Sequence, residues 1–197
     1  MPSSHDTRSS VASRRALPEG YSAPAGCVVA AGDHVYLADD RGAVVSLTPD
    51  GQTIETRSLP EPASSISISP DKTRIYVLSI THLFAIDTRS GRFTSSPLAA
   101  PSGGIAALAT GRVVVGNRLS SRLDVYCPDG SLCGQVGGSG DWPGQVQEVE
   151  GMATNAGSQQ LYVADSVNRV VNRFTADGHL TALYWSVEDE EQGEVKR

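Results

Sequence analysis

The side chains best suited to binding chemistry are acids, amides, arginines, one histidine and one tryptophan that follow apolar stretches of the chain. They are Asp39, Asp40, His82, Asn117, Arg118, Trp142, Asp165, Asn168 and Arg169. Asp39, Asn117 and Asp165 occupy equivalent places after such stretches, where an Asp or Asn accepts hydrogen bonds from nearby backbone N–H groups. We expect these three to cap the ends of strands, and the whole set is our candidate binding surface.

Two further chemical roles have simpler alternatives. His82 is of the type that serves as a general base or a metal ligand, but a single loop histidine is typically just solvated. Glu150 is a weak candidate for binding a divalent cation, although with Glu148 it lies in a glycine-rich stretch that favours a solvated loop. The chain has no Gly-x-Ser-x-Gly elbow, His-Glu-x-x-His helix or phosphate-cradling loop. We therefore assign no catalytic residue and predict no cofactor.

Trp142 lies between Asp141 and Pro143 in Gly137–Gln145, the longest polar excursion of the chain. Two interpretations remain open at this stage. The indole either is exposed and anchors a contact with a partner, as Trp often does at interfaces, or packs between neighbouring structural units.

These residues belong to a repeat. An apolar strand, a short polar loop, a second apolar strand and a Gly-marked turn recur, with the turns at Gly51, Gly91, Gly130 and Gly178, separated by 40, 39 and 48 residues. A period of about 40 residues is typical of the blades of a β-propeller. The second strand of each repeat is apolar on both faces, which a strand needs when neighbouring blades cover both sides. We predict an all-β fold of four four-stranded blades, at about 21–60, 61–100, 101–137 and 138–187.

The fourth repeat resembles the NHL repeat of six-bladed propellers. The resemblance is carried by Leu161–Val170, with its Asp-Ser and Asn-Arg pairs, by Phe174 and by the Asp177-Gly178 turn, after the glycine-rich link Gly137–Gln145. Blade one, with Tyr36–Asp39, is a weaker match. The resemblance implies that loops joining second to third strands, with the links between blades, line one face around the axis. It also implies a binding scaffold for a protein partner.

An enzymatic alternative also follows from this resemblance. Six-bladed lactonases hold a divalent ion such as calcium on the propeller axis with Glu, Asn and Asp from different blades, and such an ion polarises a carbonyl or activates water. Glu150 is similar to the glutamate of that family. The innermost strands of the other blades begin at Gly26, Ser65 and Gly104, with no acid beside them. A metal-dependent lactonase-like hydrolase or lyase is therefore the alternative to the scaffold.

The number of blades is smaller than the family pattern implies. A six-bladed ring needs about 240 residues at about 40 per blade, and the stretch from Tyr21 to Val187 supplies 167. Three explanations are open: a closed four-bladed ring, an open arc that self-associates to complete a larger ring, or a chain that lacks blades. We favour an incomplete or associating arc, because no strand is left over to latch a ring.

Composition limits the remaining choices. The net charge of −6 argues against nucleic acid as the main partner, and no apolar run is long enough for a membrane span. Residues 1–20 are predicted to be a disordered leader without a secretory signal, so we expect a soluble, cytoplasmic protein; residues 188–197 are predicted to be an acidic disordered tail. A two-residue turn at Asp129-Gly130 would place Cys127 and Cys133 on opposite faces, with a disulfide as the alternative.

Overall fold

The computed structural model describes residues 24–98, 102–155 and 157–185. They form sixteen strands and no helix. The first sheet holds β1 (Pro24–Ala31), β2 (His34–Asp39), β3 (Ala43–Leu47) and β4 (Thr53–Ser58). The second holds β5 (Ser65–Ile68), β6 (Arg74–Leu78), β7 (His82–Asp87) and β8 (Phe93–Pro97). The third holds β9 (Ser102–Ala107), β10 (Val113–Asn117), β11 (Arg122–Tyr126) and β12 (Leu132–Val136). The fourth holds β13 (Val149–Thr154), β14 (Gln160–Asp165), β15 (Val170–Thr175) and β16 (Leu180–Trp185).

Each sheet is an antiparallel meander whose strands pair in chain order. The predicted all-β arrangement of four four-stranded blades is therefore confirmed. The predicted leader and the predicted tail lie outside the described residues. Within the described ranges, no helix is long and apolar enough to cross a membrane.

Neighbouring blades pack face to face through apolar rows. Phe84 and Ile86 of blade two pack against Ala38 and Val44 of blade one. The other face of blade two joins blade three through a second cluster that contains Tyr76. Blades three and four share a third cluster around Leu123 and Phe174. The second strand of each internal blade is thus buried on both sides, as its continuous apolar sequence predicts.

The four inner strands contact one another in the order β1, β5, β9 and β13. No comparable contact joins β13 to β1 among the described residues. In this part of the chain the blades therefore form an open arc. This agrees with the expectation, based on the number of repeats, of an arc rather than a closed four-bladed ring.

Three blades turn from third to fourth strand with the same Asp-Gly geometry. Gly51, Gly130 and Gly178 each have φ between 84° and 94°. Each donates its N–H to the carbonyl oxygen three residues earlier, at 2.8–2.9 Å. These positive φ angles explain why glycine recurs there.

The expectation that Cys127 and Cys133 face opposite ways is wrong, because the two residues form a disulfide with Cα atoms 5.7 Å apart. Tyr126 pairs with Leu132 but Val125 pairs with Gly134, so Cys133 is the extra residue of a β-bulge. A bulge resets the alternation of side chains between faces, which the assumption of a regular hairpin overlooks. Disulfides persist mainly in oxidising compartments. This bond therefore argues against the predicted cytoplasmic location.

Close approach of β9 and β13 requires a residue without a side chain. A Cβ atom added to Gly103 would lie 2.0 Å from the carbonyl oxygen of Val149. Gly151 differs, because a Cβ atom added there meets no atom within 4 Å.

We therefore predict that Gly103→Ala lowers the free energy of unfolding by about 1–3 kcal/mol, because the inner strands of blades three and four must move apart. Gly151→Ala is the matched control and should change it by less than about 0.5 kcal/mol. Urea denaturation followed by circular dichroism measures both. Equal stability of the two variants would contradict the close approach.

Candidate functional site

The loops after the second strands and the links between blades lie at one end of the sheets, because strand direction alternates in each meander. We call this end the display face, and it comprises residues 40–42, 79–81, 118–121 and 166–169 with the links 59–64 and 137–148. Backbone hydrogen bonds tie loops to links: Ser166 N–H donates to the carbonyl of Glu148 at 3.0 Å, and Leu59 N–H to that of Gly42 at 2.8 Å. The loops of blades one and four are thus each tied to an adjoining link.

Two of the predicted caps hold their own loops. Asp39 Oδ1 accepts hydrogen bonds from the N–H groups of Arg41 at 3.0 Å and Ala43 at 2.6 Å. Asn117 Oδ1 accepts from the N–H groups of Leu119 at 3.1 Å and Ser120 at 3.0 Å. Both side chains are buried. Their polar atoms are therefore engaged in shaping the backbone rather than directed to solvent.

Asp165 caps a loop and also fastens the long link to blade four. Its carboxylate accepts from the backbone N–H of Gln147 at 2.8 Å, of Glu148 at 3.3 Å and of Asn168 at 3.1 Å. Asn168 Nδ2 donates to Asp165 Oδ2 and to the carbonyl of Gly140, both at 2.9 Å. These contacts position the link that carries Trp142.

Blade two uses a different residue for the same task. Ser79 takes the place that Asp39 holds in blade one, and its hydroxyl has no partner among the described residues. Glu61, from the preceding link, accepts instead from Thr81 Oγ1 at 2.5 Å, from Thr81 N–H at 3.3 Å and from His82 Nδ1 at 2.5 Å. The hydrogen bond from the Thr81 hydroxyl is the main cause that lowers the pKa of Glu61, and burial opposes it. His82 is thus fixed by a carboxylate.

A buried polar network supports the loop of blade three. Asp124 is buried and accepts from Asn117 Nδ2 at 2.8 Å and from Gln135 Nε2 at 2.7 Å. Because Asn117 also caps the β10–β11 loop, the network connects the interior of the sheet to the display face. Hydrogen bonds to a charged group are stronger than neutral ones, which favours a single arrangement of this loop.

Large apolar side chains project from the display face of blades two, three and four. Their exposed fractions are 61% for Ile80, 77% for Leu119, 75% for Trp142 and 53% for Val167. Ile80, Leu119 and Val167 come from the loops after the second strands, and Trp142 comes from the link between blades three and four. Of the two interpretations of Trp142, the structure therefore supports the exposed one. Exposed apolar groups gathered on one surface are typical of binding sites.

The remaining predicted residues divide between two places. Arg118 and Glu150 both line a cleft between the inner strands. Asp40 and Arg169 are exposed on the loops of blades one and four. Among the described residues, no three His, Cys, Asp or Glu side chains are grouped so that they could hold a metal ion. Glu150 consequently belongs to no such group.

Sequence reasoning missed Glu61 and Asp124. Glu61 lies in a link between blades, at a position that does not recur in the other links. The only sign of its role in the sequence is Ser79, which stands in blade two where the other blades have Asp or Asn. Asp124 lies within an apolar strand, and its amide partners Asn117 and Gln135 lie on the two neighbouring strands, so the sequence around it shows no local pattern.

Comparison with protein-family models gives no match, and comparison with curated protein sequences gives none either. Comparison with solved structures does give matches. Virginiamycin B lyase from Staphylococcus aureus superposes with a TM-score of 0.66 at 14% identity, over 87% of this chain and 58% of that one. A streptogramin B lyase structure gives 0.65 at 17% identity, over 83% and 56%. The Cps50 (Swd1) β-propeller domain of Myceliophteria thermophila gives 0.60 at 13% identity, over 80% and 57%.

These similarities show the fold alone, and the fold is that of a β-propeller. The chain spans somewhat more than half of the length of each of these structures. What the named proteins do therefore does not pass directly to this chain.

We predict that Asp165→Ala lowers the free energy of unfolding by about 1–3 kcal/mol, since it leaves several backbone donors without their acceptor. Asp141→Ala, at an exposed acid of the same link, is the matched control and should be close to neutral. Thermal unfolding of both variants measures the difference. If Asp165→Ala were as stable as the control, the capping role would be rejected.

The lowered pKa of Glu61 predicts a pH dependence of stability. A carboxyl group whose pKa is lower in the folded state than its ordinary value of 4.5 stabilises the fold above that value. This contribution is lost as the pH falls through the folded-state pKa. The stability difference between the native chain and Glu61→Gln, measured by urea titrations at each pH, should therefore shrink as the pH falls through the acidic range. A difference independent of pH would contradict the assignment.

Proposed function

We propose that this chain is an NHL-like β-propeller scaffold that binds a protein partner through its display face. The observation that carries the proposal is the set of four exposed apolar side chains on that face, Ile80, Leu119, Trp142 and Val167. Desolvating them would favour association, because burial of apolar surface is the main driving force for protein–protein contact. Trp in particular is enriched among the residues that dominate binding energy.

The rigidity of the display face supports the same proposal. Each loop that carries an exposed apolar residue is held by buried or carboxylate-based hydrogen bonds: the loop of Leu119 by Asn117, the loop of Val167 by Asp165, and the loop of Ile80 by Glu61. A surface ordered before binding loses less conformational entropy when the partner arrives. Fixed loops on a stable scaffold are a common arrangement of recognition surfaces.

The metal-dependent hydrolase or lyase has less support from the geometry. The similarity to two lyases is at 14% and 17% identity and concerns the fold. Glu150 lies on the inner strand of blade four, but the described residues offer it no further His, Cys, Asp or Glu grouping. We therefore propose the scaffold alone.

The test is selection of binding peptides from a random library displayed on phage, with the native chain as the target. Selected peptides should bind Trp142→Ala about tenfold or more weakly than the native chain, and Leu119→Ser should also weaken binding. Interferometry with synthetic peptides gives the dissociation constants.

Leu132→Ser is the matched control for this experiment. Leu132 is also an exposed apolar residue, at 48%, but it begins β12 at the opposite end of blade three. Its substitution should leave binding unchanged. Peptides that bind all variants equally, or a library that yields no binder, would refute the proposed binding face.

A further inference from the structure

A cleft of about 500 Å³ lies between the inner strands of the four blades. Val28 of β1, Ser65 of β5, Gly104 of β9 and Gly151 of β13 contribute to its walls, and Arg118 and Glu150 supply its charged groups. Arg118 also belongs to the display face, but none of the four apolar side chains proposed to contact the protein partner lines the cleft. Its occupant therefore does not depend on the proposed protein partner.

The walls of the cleft present backbone as well as side chains. Each inner strand is the edge strand of its sheet, so one side of it has no strand partner within that sheet. Gly151 leaves the backbone of β13 uncovered, because it faces space in which an added Cβ atom would meet nothing within 4 Å. Gly104 is buried, and a Cβ atom added there would lie 2.9 Å from the backbone nitrogen of Met152. Backbone N–H and C=O groups in such a position can bind the amide groups of a ligand.

The two charged groups of the cleft are opposite in sign. The guanidinium of Arg118 and the carboxylate of Glu150 are both exposed. Neither takes part in a hydrogen bond or ion pair within the ranges that the structure describes, and the two do not pair with each other although they line the same cleft. A ligand that carries one negative and one positive group would satisfy both.

We propose that this cleft binds a small zwitterion, either an amino acid or a short peptide with free termini. The guanidinium of Arg118 has the planar donor geometry that binds a carboxylate through two parallel hydrogen bonds. Glu150 accepts hydrogen bonds from the ammonium group at the other end. The uncovered backbone beside Gly151 pairs with the peptide groups between the two termini.

The experiment uses glycine, diglycine, triglycine and tetraglycine as probes of increasing length. Chemical-shift titration of the labelled chain follows the backbone amides of Gly103, Gly104 and Gly151. We expect these amides to shift with a dissociation constant below about 10 mM. One length should bind most tightly, because the separation of Arg118 and Glu150 is set by the blades. Triglycine with acetylated and amidated ends should not bind.

Three variants test the assigned contacts. Arg118→Met and Glu150→Gln should each weaken binding of the best probe about tenfold to hundredfold, the range expected for loss of one charge-assisted contact. Gly151→Leu fills the cleft and should abolish binding. Amide-shift dispersion like that of the native chain shows that each variant is folded.

Arg112→Met is the matched control, because Arg112 is an exposed arginine just before β10, at the opposite end of that strand from Arg118. It should bind the probe as the native chain does. The proposal is overturned if no probe shifts the three glycine amides, if Gly151→Leu binds normally, or if the capped peptide binds as well as the free one.

Discussion

Face-to-face packing of neighbouring blades is the interaction on which the rest of this structure depends. A single four-stranded meander cannot bury either of its faces by itself, so each blade depends on packing against at least one neighbour. Val77 and Val163 lie in the middle of second strands and are fully buried. Burying a side chain of this size contributes about 1.5–3 kcal/mol. Repeated along each interface, this contribution holds the blades face to face. The loops between their second and third strands therefore lie at the same end of the arc.

Because packing determines the position of the strands, polar residues are left to determine the shape of the loops. The residue just after the apolar run of the second strand is Asp39, Asn117 or Asp165 in three blades, and each accepts backbone hydrogen bonds. Where blade two has Ser79 instead, Glu61 reaches across from the link. The same physical requirement, an acceptor for the backbone donors of a tight loop, is met by two different parts of the chain. The loops that result hold apolar side chains in solvent.

The fold could be predicted because its signals are local and repeated. The 40-residue period, the two-sided apolar strands and the Asp-Gly turns are each visible in a few consecutive residues. The disulfide was not predicted, because it depends on the one-residue bulge at Cys133, whereas the prediction assumes a regular two-residue turn; the same bulge follows the Asp-Gly turns of blades one and four. The roles of Glu61 and Asp124 depend on partners 20 and 11 residues away, which no local pattern encodes. The exposure of Trp142 likewise depends on how the link lies over blade four.

The repeat also explains which side chains lie on the face of blade four that points away from blade three. Tyr36 and Tyr76, at the centre of their second strands, face the blade that follows, and Tyr162 occupies the same place in blade four. Its strand neighbour Arg173 lies on the same face, with its guanidinium 6.0 Å from the ring centre of Tyr184. Within the described residues, no fifth sheet packs against this face. Blade four therefore presents half of an interface built to the same pattern as the three that hold the arc together, and the cleft between the inner strands lies within the same open arc of described blades.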